Sequence, residues 1–307
     1  MSVVPISRRS FARLAGTAVL AAAPAAGQRN LLTAEQAVGR IQKNVGVPWR
    51  ADSLDGFKAG NPADAVHGIV TTAMATMDML VRASREMFNL VVTLEPVFFG
   101  RLDVQAPPSG ANAGAGRGQS GVRPDDPVYG AKQDFIRKNG LVVWRFSDHW
   151  RARHPDPMAT GIAEALGWRA HQVDGDPFHY DLPAASLASL ADHLQKQLKA
   201  RAGIRVIGDP ATRVRRIALL PGLSALPATM KDLPECDVIL AGETREWESV
   251  EYAADTVAAG RKKGFIMLGR VLSEDPGMNV CAQWLKTLIP EAPVRWIPAG
   301  DPYWRPA

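Results

Sequence analysis

The sequence predicts an α/β fold made of two related mixed-sheet halves with a cleft between them. Three observations predict it. Short apolar runs rich in β-branched residues alternate with stretches of helical periodicity. The pattern restarts after Ala202-Gly203, which divides an N-terminal half at 27–202 from a C-terminal half at 203–307. Polar residues gather directly after the apolar runs, and open α/β sheets place ligand sites outside the C-terminal ends of their strands. A chain of 307 residues, 46% hydrophobic and 22% charged, suits one large domain or two ordinary ones and excludes a disordered or low-complexity protein.

The first residues read as an address. Residues 7–13 are S-R-R-S-F-A-R, an uncharged Ala-rich stretch runs from Leu14 to Gln28, and Ala23-Pro24-Ala25-Ala26 suits a signal peptidase. This resembles a twin-arginine export signal over residues 1–26, and it implies a periplasmic or extracellular protein. The stretch is short for a bilayer, so no stable membrane span is expected after its removal. Loss of its three arginines lowers the formal net charge from +5 to +2, too little to argue for nucleic acid as a partner. Cys236 and Cys281 are the only cysteines. An oxidising compartment permits a disulfide, and the sequence leaves open whether they pair.

Element by element, residues 33–45 predict a helix, with Thr33 as N-cap and Ala34, Ala37, Val38, Ile41 and Val45 on one stripe. Residues 52–62 are rich in turn formers. Val66–Thr71 is a short strand, Met74–Met87 a helix, and Asn89–Thr93 a strand with the continuous apolar run of a buried parallel sheet. Residues 106–124 hold Gly and Pro without apolar period and read as a flexible insertion. A helix near Pro127–Asn139 and a strand at 140–146 follow. Helices are expected at 159–166 and 184–201, the second on the stripe Leu187, Leu190, Leu194, Leu198. The second half reads as strands at 216–220, 237–241, 264–268 and 294–297, with helices at 250–259 and 280–288.

Four strand ends carry the chemistry. The strand at 89–93 runs into Leu94-Glu95-Pro96, and the strand at 140–146 into Ser147-Asp148-His149-Trp150-Arg151. The strand at 237–241 runs into Gly242-Glu243, and the strand at 264–268 into Gly269-Arg270 and then Glu274. Carboxylates at four strand ends, one beside a histidine, suit a metal or acid–base site if the ends converge. The Asp148-His149 pair suits proton transfer, or His149 satisfies a local hydrogen bond. Trp150 and Trp247 flank these residues. No phosphate loop and no Gly-x-Ser-x-Gly elbow are present.

The order of these motifs is recognisable. D-x-x-D-G-x-x-x-G-N near 52–61, T-L-E-P at 93–96, W-R-F-S-D-H-W at 144–150, D-V-I-L-A-G-E at 237–243 and G-R-V-L-S-E at 269–274 resemble the NIF-three-like dinuclear metal proteins, often named GTP cyclohydrolase type 2. The resemblance covers about residues 31–300. It implies two α/β halves, a ring of six subunits, and two divalent ions (zinc, manganese or iron) between the halves. The family's ligand positions fall on Leu94, Glu95, Ser147, Arg151, Arg270 and Glu274, and none is a histidine. A histidine expected near Arg101 is also missing. Only Glu95 and Glu274 keep metal-binding chemistry, because a guanidinium offers donors and no lone pair. The replacements suggest an Arg–Glu ion-pair cluster in place of the metals. Two functions stay open. One is a binding protein in which Arg151 and Arg270 take an anionic small molecule. The other is a metal-assisted hydrolase with a rearranged site, drawing on Asp148, His149 and Glu243, where Glu243 contacts substrate or acts as general base.

Overall fold

The computed structural model describes residues 31–100, 103, 125–201, 203–304 and 306. The stretch read as an export signal and the insertion expected at 106–124 lie outside these residues. In chain order the elements are α1 (Ala34–Asn44), β1 (Gly56–Ala59), β2 (Ile69–Thr72), α2 (Met77–Arg85), β3 (Leu90–Thr93), α3 (Pro127–Lys138), β4 (Val142–Arg145), α4 (Asp148–Arg151) and α5 (Pro157–Leu166). They continue with β5 (Gln172–Val173), β6 (Asp176–Ser186), α6 (Leu187–Gln197), β7 (Arg205–Ile207), β8 (Arg213–Leu223), α7 (Leu226–Asp232), β9 (Val238–Glu243), α8 (Glu251–Ala258), β10 (Gly264–Met267), α9 (Arg270–Leu288) and β11 (Val294–Trp296).

Local chemistry sets most boundaries. Thr33 accepts from Gln36 N at 3.2 Å while Thr33 N donates to Gln36 Oε1 at 2.9 Å, a reciprocal cap that fixes where α1 begins. Thr76, Asp126, Asp156 and Ser186 cap α2, α3, α5 and α6 one-way, their side chains accepting N–H groups of the first turn.

Two mixed sheets result, as the fold class predicts. The first has the order β1-β4-β3-β2-β11 and is parallel except for edge strand β1. The second has the order β5-β6-β8-β9-β10-β7, with β8, β9 and β10 parallel and the rest antiparallel. The boundary near residue 203 does not separate them. The second sheet already begins at Gln172, and the last strand, β11, returns to pair with β2. β6 escaped the sequence reading because Pro177 and Pro183 interrupt its alternation, and the helix expected from 184 starts only at Leu187. β1 lies inside the stretch read as turns. The helix expected at 280–288 starts at Arg270, with Pro276 inside it.

Helix α9 packs against both sheets, touching β2 and β11 on one side and β8 and β9 on the other. Its Met278, Cys281, Ala282 and Leu285 join α1 and one face of the first sheet in a common core. Against α5 it comes unusually near. A Cβ on Gly161 would lie 2.4 Å from Gly277 N and 2.4 Å from the Pro276 carbonyl carbon. Cys281 belongs to this core and Cys236 to another, beneath α8, and both thiols are free and buried. Burial pushes the Cys236 thiol up to about 11 and raises Cys281 as well.

Gly161→Ala tests the helix contact. In an ordinary helix interior this change stabilises by up to about 1 kcal/mol. Here overpacking is expected to win, with a net loss of about 1–3 kcal/mol in urea denaturation.

Candidate functional site

Glu95, Glu243, Arg270 and Glu274 come from different strand ends and meet at the C-terminal edges of the two sheets. Glu95 follows β3, Glu243 ends β9, and Arg270 and Glu274 open α9 after β10. Arg151 reaches the same place from α4, which follows β4.

The contacts are short. Arg151 Nη2 donates to Glu95 Oε1 and to Glu274 Oε1, each at 2.7 Å. Arg270 Nη2 donates to the same Glu95 oxygen at 2.8 Å, and its Nε lies 3.4 Å from Glu274 Oε2. Glu243 Oε2 stands 3.8 Å from Arg270 Nη1, at the solvent side. The Glu274 side chain is 0% exposed and that of Glu95 is 9%, whereas Arg151 and Arg270 keep 30% and 28%. The carboxylates therefore form the floor and the guanidiniums the lid. Burial pushes the Glu274 carboxyl above the usual carboxylate range, Arg151 pulls it back, and the Glu95 charge pushes it further up. Burial also opposes the charge of Arg270, but Glu95 and Glu274 outweigh it and hold the guanidinium above its ordinary value.

The backbone around this floor needs glycine. Gly222 has φ +71°, and a Cβ there would lie 2.3 Å from Glu274 Oε1. A Cβ on Gly242 would lie 2.4 Å from Gly222 O and from Ser273 Oγ. Ser273, fully buried, takes the Gly222 N–H at 3.0 Å and donates to Arg270 O at 2.8 Å. The start of α9 is thereby fixed against β8.

Asp148 and His149 take no part in the cluster. They form the first turn of α4, and the buried Asp55 carboxylate seizes that turn. Asp55 accepts the backbone N–H of Ser147, of Asp148 at 3.0 Å and of His149 at 3.0 Å. It also meets His149 Nδ1 at 2.7 Å. The Arg50 N–H points at His149 Nε2 from 2.8 Å. A backbone N–H only donates, so the network assigns Nε2 as acceptor and places the ring proton on Nδ1, directed at Asp55. The ring stacks on Trp49 at 3.7 Å between centroids and is 2% exposed. Asp148 accepts the Leu54 N–H at 2.9 Å. Both nitrogens of His149 are thus engaged in this network, whereas Asp148 uses Oδ2 alone and keeps its side chain 26% exposed. Glu243 remains at the rim of the cluster.

The structure gives the D-x-x-D-G motif a purpose that its sequence did not reveal. Asp55 anchors the short helix whose last residue is Arg151. The motif marked Asp55, but only the fold shows a partner more than ninety positions away. Of the two flanking tryptophans, Trp150 is 1% exposed and packs on Trp284 at 5.5 Å, whereas Trp247 is 72% exposed. Of the other family ligand positions, Leu94 is buried in the core and Ser147 is held by Asp55.

The metals implied by the resemblance do not fit this donor set. Among the described residues, no three His, Cys, Asp or Glu side chains come together as metal ligands do. Arginine nitrogens lie against both remaining carboxylates. Among the described residues, no helix is long and apolar enough to cross a membrane.

Asp55→Ala is expected to leave several buried N–H groups without an acceptor, at about 1–3 kcal/mol each. The Tm should fall, and tryptophan emission should change as Trp49 and His149 unstack. A variant with wild-type stability would remove Asp55 as the anchor of α4.

The sequence matches no model of a protein family and no curated protein. Solved structures match its fold. A Bacillus cereus protein related to NIF3 superposes with a TM-score of 0.66 at 12% identity, covering 89% of this chain and 99% of that one. A Staphylococcus aureus hypothetical protein, SA1388, gives 0.63 at 12% identity over 90% of this chain and 100% of that one. Protein ybgI, described as of unknown function, gives 0.62 at 16% identity over 89% of this chain and 100% of that one. Two mixed sheets, a long helix packed on both, and agreement along nearly the whole of these proteins establish that the chain has the NIF3-like fold.

Proposed function

We propose that this chain is a metal-independent binding protein of NIF3-like fold, and that it takes an anionic small molecule at the guanidiniums of Arg151 and Arg270. The observation that carries this reading is the unspent hydrogen-bonding capacity of the two arginines. Arg151 meets both carboxylates through Nη2 alone, and its Nε and Nη1 have no hydrogen-bond partner among the described residues. Arg270 Nη1 has only Glu243, beyond hydrogen-bond distance at 3.8 Å. These donors belong to side chains that keep a third of their surface in solvent. A carboxylate or phosphate group is their natural complement.

The start of α9 supports the same choice. Gly269 gives the nineteen-residue helix no side-chain cap, and a Cβ there would meet nothing within 4 Å. The positive end of the helix dipole adds to the two guanidiniums. Glu243 works against an anion, and its half-exposed carboxylate must turn aside when one binds. Export by the twin-arginine route and assembly into a ring of six subunits belong to the same proposal, on the motif at residues 7–28 and on the family resemblance.

Calorimetric titration with a panel of small carboxylates and phosphate monoesters tests the binding. At least one should bind, Arg270→Ala should weaken it tenfold or more, and Glu243→Gln should tighten it by about two- to fivefold, the scale of an exposed charge. No binding by any anion, or equal affinity in Arg270→Ala, would remove the reading. Light scattering at micromolar concentration tests the ring, and a monomer mass counts against it.

A further inference from the structure

The cluster departs from the way arginine and carboxylate ordinarily meet. Their favoured contact is a fork, in which two parallel N–H groups serve the two oxygens of one carboxylate. Here the single nitrogen Arg151 Nη2 bridges two carboxylates, with 2.7 Å to an oxygen of each. The Glu95 oxygen that it touches is also the one touched by Arg270 Nη2 at 2.8 Å. No carboxylate in the group is held by a fork of two short bonds from one guanidinium. One positive centre between two carboxylates, and one oxygen between two positive centres, is the pattern of small cations in an acidic cavity.

The need for positive charge is real. Glu274 is fully buried and Glu95 nearly so, and two such carboxylates side by side repel each other unless cations lie between them. The turn of α9 that carries Glu274 is fixed independently of the arginines: Ser273 accepts the Gly222 N–H, and Gly222, having no Cβ, leaves room for Glu274 Oε1. The backbone beneath Glu274 is thus set by the fold, and the charge of the site is set by whatever lies against the two carboxylates.

We infer that Arg151 and Arg270 are the resident cations of this cavity: they supply the charge that two metal ions would supply in a protein of this fold, and the cavity stays closed to divalent ions while both are present. The two arginines are not equivalent. Arg151 is pinned through α4 by Asp55 and makes two short bonds. Arg270 makes one short bond, follows an unhindered glycine, and has Glu243 within reach at the rim. Arg270 is the cation that can be removed with the frame intact. Its loss leaves Glu95 and Glu274 one positive charge short, and a divalent ion that keeps several waters can take the vacated place.

The experiment uses wild type, Arg270→Ala, Arg270→Gln and the double variant Arg270→Ala with Glu274→Gln. All are stripped of metal and titrated with manganese chloride, with free Mn2+ followed by electron paramagnetic resonance. Wild type should take up no Mn2+ at micromolar concentration, and EDTA should not change its Tm. Arg270→Ala should bind about one Mn2+ per chain at least tenfold more tightly than wild type, with a Tm raised by Mn2+. The double variant should lose that uptake. Stoichiometric Mn2+ on wild type would overturn the inference, as would a folded Arg270→Ala that binds no more than wild type, or uptake that survives Glu274→Gln. Failure of both single variants to fold even in millimolar Mn2+ would also overturn it, because an ion that the cavity accepts would restore the missing charge. Anion affinity is read separately: the uptake by the variants leaves the anion reading untouched, whereas Mn2+ on wild type would also remove its metal independence.

Discussion

The arrangement depends on one buried charge. Glu274 sits in the first turns of α9 with no contact to water, and it is stable there because Arg151, and more loosely Arg270, bring guanidiniums to it. That demand propagates outward. Arg151 must be aimed, so α4 must be anchored, and Asp55 anchors it. The carboxylate needs room, so β8 must pass with a glycine at position 222. Helix α9 must then lie against both sheets at once, which the near approach of Gly161 to Gly277 permits. Removal of one partner from such a group leaves an uncompensated charge in a dry place, a far larger penalty than the net worth of the pairs themselves.

This chain shares its frame with solved structures of the same fold. Identity of 12–16% over nearly the full length of those proteins says that packing of apolar runs, rather than a particular set of side chains, specifies the architecture. Function is argued from the residues of the site, and here those residues are two acids under two arginines.

Much of the fold was legible in the sequence because its signals are local. Continuous apolar runs gave β3, β4, β9 and β10, and the Thr33 cap gave the start of α1. The missed parts depend on distant partners. β6 has two prolines and is a strand because β8 lies beside it. β11 reads as the end of the second half, yet it pairs with β2. Pro276 hid the first half of α9, whose buried face is lined by Ser273, Glu274 and Asp275 rather than by aliphatic residues. The meeting of Glu95, Arg151, Arg270 and Glu274 was legible only through the order of motifs. The engagement of both His149 nitrogens was not legible, since their partners, Asp55 and the Arg50 N–H, lie nearly a hundred residues upstream.

The return of the chain to its first sheet has a consequence for how the protein is made. β2, β3 and β4 are complete once residue 145 has been synthesised, but the far edge of their sheet stays bare until residues 294–296 arrive. The core beneath that sheet likewise waits for Met278, Cys281 and Leu285. A nascent chain of two hundred residues therefore carries an unfilled apolar face and an open parallel edge through most of its time on the ribosome. Folding of the first sheet is deferred until translation is almost over, and a chaperone that shields the face of β2–β4 in the interval would act on the most exposed stage of the protein's life.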